Sequence, residues 1–290
     1  MADDAQRVKT ANLEAVRSSA RETAFDWYLS ALLSGRDVRQ DLITLAALTG
    51  EIEKTPLVVS DPALGEIRLR WWLDWLEELD AGTKTGNPVA DLTGEMIVRR
   101  GLPRSLVAGL IEARGAELYA LPFETAGAFQ KFVDQTTGAV MQLAAGVVGA
   151  LPAAGTPEDA GSALLEFGRA YGVTRQLVVL PQLAARGRWG LYPDETGDID
   201  ASLLLEPEVR ARADQVRQEA LSKAWQNLEN ARQVAGGRLS GPLQAGLPVA
   251  MVEQYLRKLQ AQDDWLRTVA EVAPLVRVWT LLRARWTGRF

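Results

Sequence analysis

Between residues 65 and 80 the chain reads GEIRLRWWLDWLEELD, and its apolar positions recur at the helical period. Leu69, Trp72, Leu73, Leu76 and Leu79 share one broad face, with Arg70, Asp74, Glu77 and Glu78 opposite, which predicts an amphipathic helix. Arg70 and Asp74 stand as a favourable i,i+4 pair, and Trp75 falls at the edge of the apolar face. Arg68 projects on the apolar flank between Trp75 and Leu79, while Ile67 and Trp71 emerge on the charged side. The helix is therefore expected to have neighbours on more than one side and to lie centrally. Arg68 reads either as a snorkelling cation whose stem covers apolar surface or as an inward cation meeting an anion or a buried acid.

The same period recurs along the chain. Leu13, Val16, Ala20, Ala24, Trp27, Tyr28 and Leu32 predict a first helix over residues 12–34, stopped by Gly35. Asp37 is the expected N-cap of a second, running to about Lys54, and Ser60, Asp61 and Pro62 form the turn that starts the Trp-rich helix. Asn87 and Pro88 open a helix ending near Gly101, and Pro103 stands at a first-turn position of the next, through Leu106, Leu110, Ile111 and Leu118. A long helix is expected over residues 123–151, with small residues in its second half that permit close approach. Another, over residues 162–185, is apolar on most sides and should be buried. A glycine- and proline-broken loop follows at residues 187–195. Residues 206–233 are highly charged with a narrow stripe at Val209, Ala213, Val216, Ala220, Ala224 and Leu228, so that helix should lie outside, stopped by Gly236 and Gly237. Helices over residues 242–259 and 265–286 complete the pattern. No period-two alternation persists and no internal repeat is visible, so the expectation is one all-α domain over residues 1–290, a bundle of about ten helices.

Composition narrows the chemistry. The 290 residues contain no cysteine and no histidine, which removes thiol nucleophiles, disulfides, imidazole bases and nearly every zinc site. Any metal must be a hard, oxygen-bound ion such as Mg²⁺. A net charge of −5 and a pI near 5.1 argue against a general nucleic-acid binder. Residues 1–16 are acidic, without the apolar core of a signal peptide or the acid-poor character of a transit sequence, and are expected to stay attached. The longest apolar run, residues 139–152, is too short to cross a bilayer and contains Gly146 and Gly149.

Arg21, residues 26–28, Arg39 and Leu42, followed by GEIRLRWW at residues 65–72, resemble the squalene/phytoene synthase family. So do FVDQTTGAVMQLA at residues 132–144 and AYGVTRQLVVLPQLAARGRWGLYP at residues 170–193, and the likeness runs in order over nearly the whole chain. The resemblance implies an isoprenoid-synthase-like bundle that joins two prenyl diphosphates head to head. Two facing Asp-x-x-x-Asp motifs would hold Mg²⁺ on the diphosphates, the metal neutralising the departing pyrophosphate. In this chain the first motif position reads LAALTGEIEKTP, where Glu51 and Glu53 are two apart and so on different helix faces. The second falls on Val179 and Leu183, and residues 176–182 contain no acid. This pattern resembles the non-catalytic branch of the family, which includes the mitochondrial assembly factor for respiratory complex I.

Arg68, Asp74, Gln135, Arg175 and Arg188 map to positions that line the cavity in that family, and each reads alternatively as an interhelical hydrogen bond or salt bridge. Trp72 and Tyr171 read as cavity candidates or core aromatics. The C-terminal PLVRVWTLLRARWTGRF carries Arg277, Arg283, Arg285 and Arg289 without an acid, beside Trp279 and Trp286. That is the composition of a membrane-interface helix, and also of a last helix packed on the bundle with a frayed basic end. Two functional readings follow. In the first the chain is catalytically degenerate, binds a protein partner at a membrane complex, an isoprenoid or other lipid, or both, and needs no cofactor. In the second it is an active prenyl transferase with unorthodox Mg²⁺ ligands. The expected location is cytoplasmic, or peripheral at the inner face of a membrane.

Overall fold

In the computed structural model, which describes residues 2–80, 82, 84–149 and 158–290, the predicted all-α architecture is present. No strand occurs among those residues; the extended pairings are two isolated bridges, Asp194–Gly197 and Arg238–Arg289. The chain opens with α1 (Ala2–Thr23) and α2 (Phe25–Leu32), where one helix was expected. The break falls at Ala24, with φ −137° and ψ 54°, and precedes two residues, Asp26 and Trp27, that are buried. Helix α3 (Arg36–Glu53) has Gly35 as its N-cap, and Asp37, expected there, lies in its first turn. From Asp41 to Gly50 every residue of α3 is buried, so this helix is an internal element.

After the short α4 (Thr55–Val58) comes the Trp-rich α5 (Pro62–Glu77). Asp61 caps it by accepting from the Ala63 N–H at 2.9 Å, and Pro62, whose missing N–H costs nothing there, occupies the first turn. Leu69, Trp72, Leu76 and Leu79 are buried as the pattern predicts, and Trp75 joins them. Trp72 meets Trp71 and Trp75 edge-on, with ring centroids 5.0 and 5.5 Å away. Yet α5 is not central. It packs on α4, α6 (Pro88–Arg100), α7 (Arg104–Arg114) and a 3₁₀ turn at Gly115–Leu118, and its Leu64, Ile67 and Trp71 face solvent. Asn87 caps α6 by accepting from Val89 and Ala90, and Gly101 ends it in the left-handed region at φ 64°. Pro103 proves to be the N-cap of α7, one position outside the first turn.

The long helix expected next is two, α8 (Ala126–Val133) and α9 (Ala139–Val147), joined by a π-helical turn at Asp134–Gly138; the predicted end at residue 151 lies outside the described residues. The wider turn inserts an extra residue into the ladder, and within it Gln135 is exposed whereas Thr136, Thr137 and Gly138 are buried. Against that turn packs α10 (Glu158–Ala184), the second internal helix. The approach is close: a Cβ on Gly168 would lie 2.5 Å from Gly138 Cα and 2.7 Å from its nitrogen. Because both obstacles are backbone, Gly168→Ala is expected to lower stability by about 1–3 kcal/mol or more, seen as a drop in urea midpoint at constant slope. An unchanged midpoint would show that the two helices separate freely.

Helix α11 (Pro207–Val234), which packs on α10, buries Ala213, Val216, Ala220, Ala224 and Leu228 of the stripe read from the sequence and leaves its first member, Val209, half-buried. Residues 241–251 form a 3₁₀ stretch before α12 (Val252–Gln260), so the helix predicted over residues 242–259 is 3₁₀ in its first half, around Pro248. The last helix, α13 (Pro274–Thr287), begins nine residues beyond the expected Trp265. Trp265 is instead held in a turn: its indole donates to Asp214 Oδ1 at 2.6 Å and its ring lies under Arg210 and Arg217, at 5.0 and 5.8 Å. Buried side chains from Val16 to Ala284 form one contiguous cluster.

Candidate functional site

The last turn of α3, the end of α7 and the middle of α10 converge on a small cavity of ≈ 20 Å³, room for about one water molecule. Glu53, Arg114, Glu117, Arg175 and Gln176 are its polar lining, and Phe132, Leu57 and Val179 its apolar lining. Arg114 lies on the apolar stripe of α7, one turn from Leu110 and Ile111, and is therefore carried inward by their burial. Its guanidinium donates to Glu117 Oε2 at 2.7 Å and to Glu53 Oε1 at 2.9 Å, and stands 5.1 Å from the Phe132 ring centroid. Gln176 donates to the other Glu117 oxygen at 2.9 Å, and Arg175 lies 3.8 Å from Glu53 Oε2. Two arginines thus face two glutamates, and the cluster is charge-balanced. Arg114 Nε finds no acceptor among the described residues.

Burial opposes the charge on Arg114, but Glu117 and Glu53 outweigh it and hold its pKa above the ordinary arginine value. For Arg175 burial is again the largest opposing influence and Glu53 the largest favourable one, with the pKa raised. The two acids weighed on α3 have separated as their spacing required. Glu53 lines the cavity, whereas Glu51 accepts from Ser19 at 2.7 Å and pairs with Lys54 at 2.7 Å. Val179, where the resemblance puts the second motif, belongs to the apolar lining of the same cavity, and Leu183 is buried.

A second buried polar cluster is centred on Asp26. It accepts from the Tyr255 hydroxyl at 2.8 Å and the Tyr171 hydroxyl at 3.3 Å, and Arg277 Nη1 lies 3.5 Å from its other oxygen. Burial first, and then Asp26, push the Tyr171 hydroxyl well above its ordinary range. The cluster ties α2, α10, α12 and α13 together.

Of the residues predicted to line a site, Arg175 does so. Tyr171 is a buried aromatic in the Asp26 cluster, edge-on to Trp27, and Trp72 is a core residue of α5. Arg68 and Gln135 are exposed, and Asp74 forms a surface ion pair with Arg70 at 2.6 Å, so these three are brought to the outside. Arg188 is buried but points elsewhere, donating to Pro56 O and, at 3.1 Å, to Val59 O, where it pins the end of α4. Of the C-terminal residues, Trp279, Arg283, Arg285 and Trp286 are exposed, whereas Arg277 turns inward to Asp26. Arg114 and Glu117 were not singled out from sequence, and Asp26 entered only as part of the family resemblance. The signal for Arg114 was present, a cation at helical spacing within an apolar stripe.

A family model described as squalene/phytoene synthase matches residues 20–280. The chain is 22% identical over 247 residues to NADH dehydrogenase (ubiquinone) complex I, assembly factor 6, of Mus musculus, a match covering 84% of this chain and 72% of the relative. The Homo sapiens protein of the same name is 20% identical over 245 residues, with the same shares covered. Among solved structures it is similar to squalene synthase HpnC from Alicyclobacillus acidocaldarius, with TM-score 0.61 at 17% identity, covering 96% of this chain and 94% of that one. It is also similar to a dehydrosqualene synthase in complex with ligand, with TM-score 0.70 at 12% identity and coverage of 97% and 98%. At these identities the structural likeness establishes the helical isoprenoid-synthase fold.

Proposed function

Given that this chain belongs to the squalene/phytoene synthase family, we propose that it is a non-catalytic member that acts by binding a protein partner in the assembly of a membrane complex. The observation that carries this reading is the arginine–glutamate cluster beneath the cavity. The residues there do not fit a Mg²⁺ ion. Glu53 and Glu117 already accept from Arg114, the lining that α10 supplies is Gly172, Arg175, Gln176 and Val179, and no group of three acids that could hold a metal occurs among the described residues. A metal would have to displace an arginine from each carboxylate and would still find no carboxylate on α10 at the cavity. With the metal goes the charge neutralisation that a departing pyrophosphate requires. The cavity volume, room for about one water, also favours a protein partner over a lipid held inside the bundle.

The choice of partner rests on the curated relatives, whose name is that of a complex I assembly factor. No helix among the described residues is long and apolar enough to cross a bilayer. Calorimetric titration with a prenyl diphosphate, with and without Mg²⁺, is expected to give no metal-dependent heat. Micromolar, Mg²⁺-dependent binding would instead return the chain to prenyl transfer.

A further inference from the structure

Helix α13 covers the bundle with one face and leaves the other bare. Thr280, Leu281 and Ala284 are buried, and Arg277 on the same side reaches Asp26 and Val272 O. On the opposite side Leu275, Trp279, Leu282 and Trp286 are exposed by 83%, 66%, 39% and 89%. At about 100° per residue these four fall within one narrow sector, and Arg283 and Arg285 fall on its two flanks. Isolated exposed apolar side chains are ordinary, but an aligned stripe with two bare tryptophans is an interaction surface.

Charge decides its occupant. The chain as a whole carries −5, yet residues 274–290 hold four arginines and no acid. A groove of ≈ 540 Å³ beside Trp286 is lined by Arg238, Arg285 and Arg289 and by no acid. A second, of ≈ 420 Å³ beside Trp279, is lined by Arg257, Arg283 and Arg289. Its one acid, Glu253, is already paired with Arg232 and Arg257. Trp286 lines the first groove and Trp279 the second, and the arginines beside them stand where lipid phosphates would lie if the stripe entered the acyl boundary.

We propose that α13 is a peripheral membrane-docking helix that lies in the headgroup plane of an anionic bilayer. Leu275, Trp279, Leu282 and Trp286 would enter the acyl boundary, and Arg283, Arg285 and Arg289 would hold lipid phosphates. The tryptophans suit that boundary, where one end of the ring is dry and the other wet. This assignment stands apart from the assembly reading, which places the protein at a membrane complex without naming the surface that reaches the lipid.

Truncation before Arg277 would remove Leu281 from the core and Arg277 from Asp26, so substitutions in the full chain are the test. The measurement is co-sedimentation with vesicles of phosphatidylcholine alone and of phosphatidylcholine mixed with phosphatidylglycerol, at low and high salt. The wild type should prefer the anionic vesicles, and the preference should shrink as salt shortens the Debye length. Arg283→Gln with Arg285→Gln should weaken anionic binding roughly 30-fold, on the order of five-fold per arginine near the surface. Trp279→Ser with Trp286→Ser should weaken it at both salt concentrations. Arg285 also donates to Leu33 O, so Arg283→Gln alone, with an unfolding midpoint held at the wild-type value, serves as the control for folding. Wild-type protein that ignores anionic vesicles, or binding unchanged by both pairs of substitutions, overturns the proposal and leaves the stripe to a protein partner.

Discussion

Arg114→Ala is expected to destabilise the protein by about 3–5 kcal/mol, because it leaves buried charge without its partner. Arg114 is 7% exposed and Glu117 is 2% exposed, so neither can turn to water when the other is removed. The substitution strips Glu117 of its 2.7 Å hydrogen bond and Glu53 of its 2.9 Å one, and Arg175 at 3.8 Å is a weak substitute. It also removes the cation over Phe132. Replacing Arg114 together with Glu117 by apolar residues of similar size should cost much less, since the loss lies mainly in the uncompensated carboxylate. Urea unfolding of the two single variants and the pair, set in a double-mutant cycle, measures the coupling. A single-variant loss below about 1 kcal/mol would mean that water reaches the cluster and screens it.

Trp72→Ala should cost roughly 3–5 kcal/mol through lost transfer energy and the cavity left behind. Trp72 is 6% exposed and sits between two other indoles, so removing it deprives both Trp71 and Trp75 of an edge-to-face partner. Trp75 is buried and depends on this packing, while Trp71 is partly exposed and can relax toward solvent. Trp71→Ala should accordingly cost much less than Trp72→Ala. Equal urea midpoints for wild type and Trp72→Ala would refute the role of Trp72 as the anchor of α5.

The Trp-rich helix illustrates how far local pattern reaches. Its start at Asp61 and Pro62 and its buried positions Leu69, Trp72, Leu76 and Leu79 were legible, because caps and helical period are properties of a few consecutive residues. Its place in the bundle was not. Three tryptophans in five positions looked like the mark of a central helix, yet Leu64, Ile67 and Trp71 face solvent. The internal positions belong to α3 and α10, and α3 buries even the polar Asp41, Thr44 and Thr49, which no local pattern assigns to the inside. For the candidate site, the missing carboxylates at Val179 and Leu183 could be read from the chain. What stands in their place could not, since Arg114, Glu53 and Gln176 come from separate helices and meet only when those helices pack.

By itself the sequence determined the all-α class, the capped helix ends at Asp61, Asn87 and Gly101, the inward positions of the Trp-rich helix and of α11, and the family, since these depend on residue spacing and ordered motifs. The tertiary structure decided where the helical pattern yields to competing contacts. It broke the first helix at Ala24, widened the turn at Asp134–Gly138 and held Trp265 out of the last helix by its bond to Asp214. It also decided which charges point inward. Arg68 and Arg114 both occupy apolar flanks of their helices, but Arg114 has Glu53 and Glu117 waiting within 3 Å and Arg68 is exposed. A buried cation is tolerated only where another element supplies its counter-charge, and that supply is set by packing between helices.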